Sequence, residues 1–253
     1  MQWFQAILLG VVQGITEFFP ISSSAHLKFA RYLMGLPDSP GWVYFDLSCH
    51  AGTWFALCYF LRKEIWQTLR SARQIALFSL ALTPLIPAYF FLKPFREALS
   101  QPHYTGYFLL ATALLLFFSR KTKTLNAPLK WGDMVSIGMM QSFALLPGLS
   151  RSGSTIAAAR FRGLDWTAAA RCSFLLAVPT ILGGEMLESW KLMQNSSTLS
   201  APLSLCAIGM AASFVVGLGS VRLVFRIYER QKILPFVWYC ALFGLLLLAV
   251  FRG

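Results

Sequence analysis

The sequence predicts an all-α polytopic membrane protein built as an inverted-topology repeat, each half a re-entrant helix pair plus three transmembrane helices. Three observations lead there. Of 253 residues, 57% are hydrophobic and only 13% charged, about half the charge of an ordinary soluble domain. Six apolar runs, 42–62, 74–92, 104–120, 167–187, 203–221 and 233–251, reach or approach the roughly 20 residues that cross a bilayer. Two further apolar regions, 2–35 and 131–162, are each broken by a proline and a serine cluster.

The two broken regions resemble each other. QGITEFFPISSSAHL from Gln13 and QSFALLPGLSRSGSTI from Gln141 both pass from a glutamine through apolar residues to a proline and then into hydroxyls. Each precedes three candidate spans, so the chain forms a single membrane domain of two repeats, 1–125 and 126–253. An odd number of spans per repeat turns the second upside down relative to the first. One broken segment then dips in from each side, and the tips meet near the midplane. Irregular backbone at that depth is tolerated only where protein buries it or a wet cavity lies beside it, and inverted repeats place sites at such junctions. The first segment lacks a basic leader and a small-residue cleavage site, so it is expected to stay in the mature protein.

Charge orients the molecule. With 62–73 cytoplasmic, fifteen lysines and arginines fall inside and six outside (Lys28, Arg31, Lys93, Arg96, Lys191 and Arg252), with Arg151 left within a break. That is the positive-inside bias, and both termini face outward. The net charge of +12 is thereby accounted for by topology, without nucleic acid. Five cysteines in apolar stretches, with no CxxC pair, predict neither a disulfide framework nor a zinc site.

Glu17 and Arg151 carry most of the functional information, because a charge near the bilayer centre costs about 2.5–3.5 kcal/mol on insertion scales. A purely structural ion pair between the hairpins is one account of them; anion chemistry is the other. Arg151 stands among Ser150, Ser152, Ser154 and Thr155 at the start of a helix, a donor set suited to phosphate. Opposite it, Ser22, Ser23, Ser24 and His26 offer hydroxyls and an imidazole for proton transfer, and Glu17 offers a carboxylate for a divalent cation. At least one of the three serines is expected to cap the helix beginning near Ala25. Asp46 and His50 are polar residues within a span; His50 either hydrogen-bonds to a neighbouring helix or contacts the site from behind. Glu185 is expected near the outer interface, and His103 has no assigned role. GLSRSG misses the G-x-S-x-G elbow by one residue, and a serine–histidine intramembrane protease leaves Glu17 and Arg151 unexplained.

QGITEFFPISSSAHL, FDLSCHAGTWFALCYFLRKE, PGLSRSGST and RGLDWTAAARCSFLLAVPTILGGEMLE together closely resemble the undecaprenyl-diphosphate phosphatases, also called bacitracin-resistance proteins, over nearly the whole chain. The resemblance implies a bacterial inner-membrane enzyme, its site open to the periplasm. Such an enzyme hydrolyses undecaprenyl diphosphate to undecaprenyl phosphate and inorganic phosphate, recycling the lipid carrier of wall synthesis. It implies a divalent cation, Mg²⁺ or Ca²⁺, and makes a homodimer plausible. By position, Glu17, Ser23, His26 and Arg151 match the family's catalytic residues, and Gln13, Ser22, Ser24, Ser150, Ser152 and Thr155 are the expected substrate contacts. Gln13 stands where some members have glutamate, which leaves Glu17 as the expected metal ligand. Arg151 would bind the terminal phosphate, and Ser23 or a water would attack with His26 as base or acid. The rival from another class is a lipid or anion transporter, since inverted repeats with broken helices are also the plan of secondary carriers.

Overall fold

In the computed structural model, residues 1–36, 42–125, 128–194 and 202–251 are described; Arg252 and the repeat boundary at 126 lie outside them. Among the described residues there are helices and no strands. In chain order they are α1 Trp3–Thr16, α2 Ser23–Leu33, α3 Trp42–Phe60, α4 Arg62–Leu69, α5 Ala72–Leu82, α6 Leu85–Phe91, α7 Lys93–Ala98, α8 Pro102–Ser119, α9 Trp131–Phe143, α10 Arg151–Phe161, α11 Trp166–Gln194, α12 Leu203–Glu229 and α13 Leu234–Val250.

Each predicted span coincides with one of these helices, or with a pair. Among the described residues, three stretches are long and apolar enough to cross a membrane: Ala72–Phe91, Trp166–Gln194 and Leu203–Glu229. The 74–92 run is divided where Pro84 starts the second piece, giving α5 and α6. The α11 helix continues through Pro179, and the Trp54 indole of α3 donates to the Val178 carbonyl beside it at 2.8 Å.

Both broken regions form a helix, a break and a second helix. With 14 and 11 residues in α1 and α2, and 13 and 11 in α9 and α10, no arm exceeds about 21 Å at 1.5 Å per residue, short of the ~30 Å hydrocarbon layer. The breaks are held differently. Gly148 turns the second at φ +99°, and Ser150 caps α10 by accepting from the Gly153 amide at 3.1 Å. The cap expected from the first serine cluster is absent. Ser22 occupies the N-cap position of α2 at φ 68° with no side-chain cap bond, because its hydroxyl lies 3.3 Å from Ser24 Oγ and the Ser23 hydroxyl is drawn elsewhere.

Aromatic packing fixes the first break in the core. Phe18, fully buried, meets Phe174 of α11 edge-on at 5.9 Å, and Phe174 meets Phe225 of α12 at 5.5 Å. The α12 helix lies against α1 and α3 through small residues. A Cβ on Gly14 would come 2.9 Å from the Ser213 carbonyl, and one on Gly52 would run into Ser213 Oγ and the Met210 carbonyl. Gly219 of α12 has open space around it.

These surroundings predict opposite outcomes for one substitution. Gly52→Ala is expected to lower thermal stability by about 1–3 kcal/mol of overpacking, whereas Gly219→Ala should be neutral or slightly stabilising. Thermal melts of the two detergent-solubilised variants against the parent check this; equal melts would contradict the close α3–α12 contact.

Candidate active site

The two breaks meet at Glu17. This residue ends α1, is 7% exposed, and its carboxylate gathers donors from three elements, with a fourth alongside. Oε1 accepts from Arg151 Nη2 at 2.6 Å, a contact spanning 134 residues of sequence. Oε2 accepts from Ser23 Oγ at 2.8 Å and from Gln13 Nε2 at 3.0 Å, and lies 3.6 Å from His50 Nδ1. Gln13 sits one helical turn before Glu17, so its amide reaches both Glu17 and His50 Nδ1, the latter at 3.0 Å. Ser23 is the first residue of α2, and the positive φ of Ser22 directs it back toward α1.

Arg151 is the first residue of α10. Its Nη2 is committed to Glu17, while its Nη1 is buried with no hydrogen-bond partner among the described residues. An unmatched buried guanidinium donor is costly, and a phosphate oxygen is its natural complement. The helix start adds its own partial positive charge.

The remaining residues singled out in the sequence divide. Ser22, Ser23, Ser24, Ser150 and Ser152 line the same cavity as Glu17 and Arg151. Ser152 donates to the Phe19 carbonyl at 3.1 Å, tying one break to the other, and Ser150 spends its hydroxyl on the α10 cap. Thr155 is fully buried behind them, bonded to the Arg151 carbonyl at 2.8 Å and to Ser173 Oγ at 2.6 Å. His26 is not brought to Glu17: its Nδ1 lies 2.8 Å from the Ser22 carbonyl and its Nε2 2.7 Å from Tyr239 Oη of α13, with Phe243 stacked at 4.3 Å. Since a carbonyl only accepts, Nδ1 carries the proton and Nε2 accepts from Tyr239. His50 is the imidazole beside the carboxylate. Asp46, one turn before it, pairs with Arg31 of α2. Glu185 lies in the cavity wall. Tyr239 carried no signal in the sequence, because one hydroxyl in an apolar run does not reveal its partner.

The cavity has a volume of about 770 Å³. Its base is the polar cluster; its walls are apolar, with Leu82, Leu85, Ile86 and Phe90 on one side and Leu145 and Leu149 on another. Arg96 and Glu188 also line it. Tyr89, also in the wall, is flanked by the Arg96 guanidinium at 4.4 Å and Lys191 Nζ at 4.9 Å.

A divalent cation meets an incomplete donor set. Glu17 already accepts from Arg151, Ser23 and Gln13, and among the described residues no three His, Cys, Asp or Glu side chains cluster to hold a metal. The residues do not fit a protein-held ion.

The model for bacitracin resistance protein BacA matches residues 6–246. The chain belongs to that family. Among curated relatives, an undecaprenyl-diphosphatase of Protochlamydia amoebophila is 38% identical over 251 residues, covering 97% of both chains. The undecaprenyl-diphosphatase of Geotalea daltonii is 38% identical over 273 residues, 98% of both. That of Acaryochloris marina is 36% identical over 271 residues, 99% of this chain and all of its own.

The Glu17–Arg151 contact predicts a coupled stability effect. Removing one partner leaves a buried charge uncompensated, at a cost of about 3–5 kcal/mol. Arg151→Met and Glu17→Gln are each expected to melt well below the parent, with the double variant melting above the Arg151→Met single. Additive losses in a double-mutant thermal cycle would mean that the pair is not coupled.

Proposed function

We propose that this membrane protein removes the terminal phosphate of undecaprenyl diphosphate, giving undecaprenyl phosphate and inorganic phosphate and returning the lipid carrier to wall synthesis. The observation that carries the proposal is the Glu17 carboxylate, which holds a serine hydroxyl and an arginine with a free donor at the base of a cavity with apolar walls. That cavity suits a molecule with an anionic head and a hydrocarbon tail. The names of the relatives support the same reaction.

In the proposed mechanism, Arg151 Nη1 and the first amides of α10 receive the terminal phosphate. Ser23 Oγ attacks its phosphorus while Glu17 Oε2, already accepting from that hydroxyl, takes the proton. The bond to the lipid phosphate breaks, and its electron pair leaves on undecaprenyl phosphate. Water then hydrolyses the phosphoserine. Preorganised donors facing the developing charge usually lower the barrier of such a reaction more than any other single effect. His26 serves at one remove in this scheme: with Tyr239 it holds the Ser22 turn, and so sets the aim of Ser23. Gln13 holds Glu17, while Ser22 and Ser24 line the approach. Mg²⁺ or Ca²⁺ would enter the proposal only with the substrate, as countercharge to its diphosphate, and no step is assigned to it.

The finer architecture belongs to the same proposal. Two inverted repeats with re-entrant pairs account for the short arms, and also for α8 packing on α13 and α3 on α11, each pair being counterparts in the two halves. Arg96 in the cavity lining and Lys191 beside Tyr89 belong to the outer charge set, which supports a site facing the periplasm in the bacterial inner membrane. A homodimer is expected from the family resemblance and is open to native mass spectrometry.

Purified protein in detergent, without any gradient, should release phosphate from C55 diphosphate, an activity that a pure transporter lacks. Ser23→Ala and Arg151→Ala are each expected to lose about 10²–10⁴-fold in kcat. A parent protein inactive with and without Mg²⁺ or Ca²⁺, or a Ser23→Ala variant at parental rate, would overturn the assignment.

A further inference from the structure

A serine-based phosphatase has a proton problem that Glu17 alone does not solve. In the first half-reaction it accepts the Ser23 proton. In the second, Ser23 Oγ leaves as an alkoxide that needs the proton back, while the attacking water needs an acceptor at the same moment. Glu17 Oε2 cannot be both donor and acceptor in that step, and Oε1 is held by Arg151.

The molecule places a second proton carrier beside it. His50 Nδ1 is 3.6 Å from Glu17 Oε2 and 3.0 Å from Gln13 Nε2. The Gln13 amide nitrogen only donates, so Nδ1 is the acceptor and the resting ring carries its proton on Nε2. The ring is half-buried and lines the cavity, and its Nε2 makes no hydrogen bond with the described residues. The other nearby groups are otherwise engaged. Asp46, one turn away on α3, is paired with Arg31, and Arg151 is paired with Glu17. Glu185 of α11 stands across the cavity wall. The adjoining turns of α12 contribute Gly209, Met210 and Ser213, none of them ionisable. His26 has both nitrogens bonded, to Ser22 and Tyr239.

We propose that His50 is the proton relay of this site, exchanging with Glu17 through Nδ1 and with water or the leaving lipid phosphate through Nε2. The proposal deepens the serine mechanism above and rests on it. In phosphorylation, the Ser23 proton passes to Glu17 and on to His50 Nδ1, and the Nε2 proton passes to the departing lipid phosphate or to water. The ring is left protonated on Nδ1, with Nε2 free. In hydrolysis, Nε2 takes a proton from the water attacking phosphorus. The Nδ1 proton returns through Glu17 to Ser23 Oγ as the Ser–O–P bond breaks, and the starting tautomer is restored. Every proton is accounted for, and no other donor or acceptor is required.

The test is to quench turnover with C55 diphosphate and quantify phosphoserine at Ser23 by mass spectrometry, alongside phosphate release. His50→Gln is expected to lower kcat by about 10²-fold with KM within a few-fold. It should also show a burst of undecaprenyl phosphate and near-stoichiometric phosphoserine, since hydrolysis is the step deprived of its acceptor. Exogenous imidazole should restore part of the rate in His50→Ala. His103→Gln should behave as the parent. His50→Asn is run in parallel in case His50→Gln fails to fold. A rate within about threefold of the parent, or a loss of rate with neither phosphoserine build-up nor imidazole response, overturns the relay, as would failure of both variants to fold. A parent protein that releases no phosphate would instead remove the serine mechanism beneath it.

Discussion

A buried carboxylate and a part-buried guanidinium, 2.6 Å apart, govern the arrangement of the rest of this molecule. Neither charge is well tolerated alone in a protein interior, so the two broken segments that bear them are obliged to meet. Most other polar contacts at the centre follow from that meeting. Ser152 reaches over to the Phe19 carbonyl, Phe18 is driven into the aromatic cluster of α11 and α12, and Cys240 of α13 closes on the Pro20 carbonyl at 3.3 Å. What results is an ionic contact whose two ends retain unequal capacity. Glu17 accepts three hydrogen bonds, whereas Arg151 keeps one donor in reserve. In the proposed mechanism, that inequality is what lets a structural pair receive an anion.

Much of this was legible in the residues. Two charges and a serine cluster inside apolar stretches identify themselves, because hydrocarbon penalises them unless something answers. The helical character and the position of each apolar run were likewise available from composition and length. Side-chain direction was not. His26 is three residues from Ser23 on α2, close enough on a helical wheel to share its face. The Ser22 carbonyl accepts the backbone His26 amide only at 3.4 Å, however, and takes the ring Nδ1 at 2.8 Å. The other ring nitrogen is claimed by Tyr239, 213 residues away. His50 presented only a polar residue in a span until α1 brought Gln13 alongside it.

The hydroxyls of the two breaks, similar in sequence, have different uses. In the second break they are consumed by the fold: Ser150 at a helix start, Ser152 on a carbonyl of the opposite hairpin, Thr155 on Ser173. In the first, the cap is forgone, and Ser23 is left to a carboxylate. In the proposed mechanism, a stable turn on one side and an uncapped one on the other let a rigid partner present the reactive hydroxyl.

The glycine contacts along α12 have a mechanical consequence. Where Gly14 and Gly52 admit backbone against backbone, there is no slack, and that flank behaves as a stiff spine. The opposite cavity wall is carried by α5 and α6, interrupted at Thr83–Pro84, where the helical ladder is already broken. Any breathing of the cavity is therefore cheapest on the proline side.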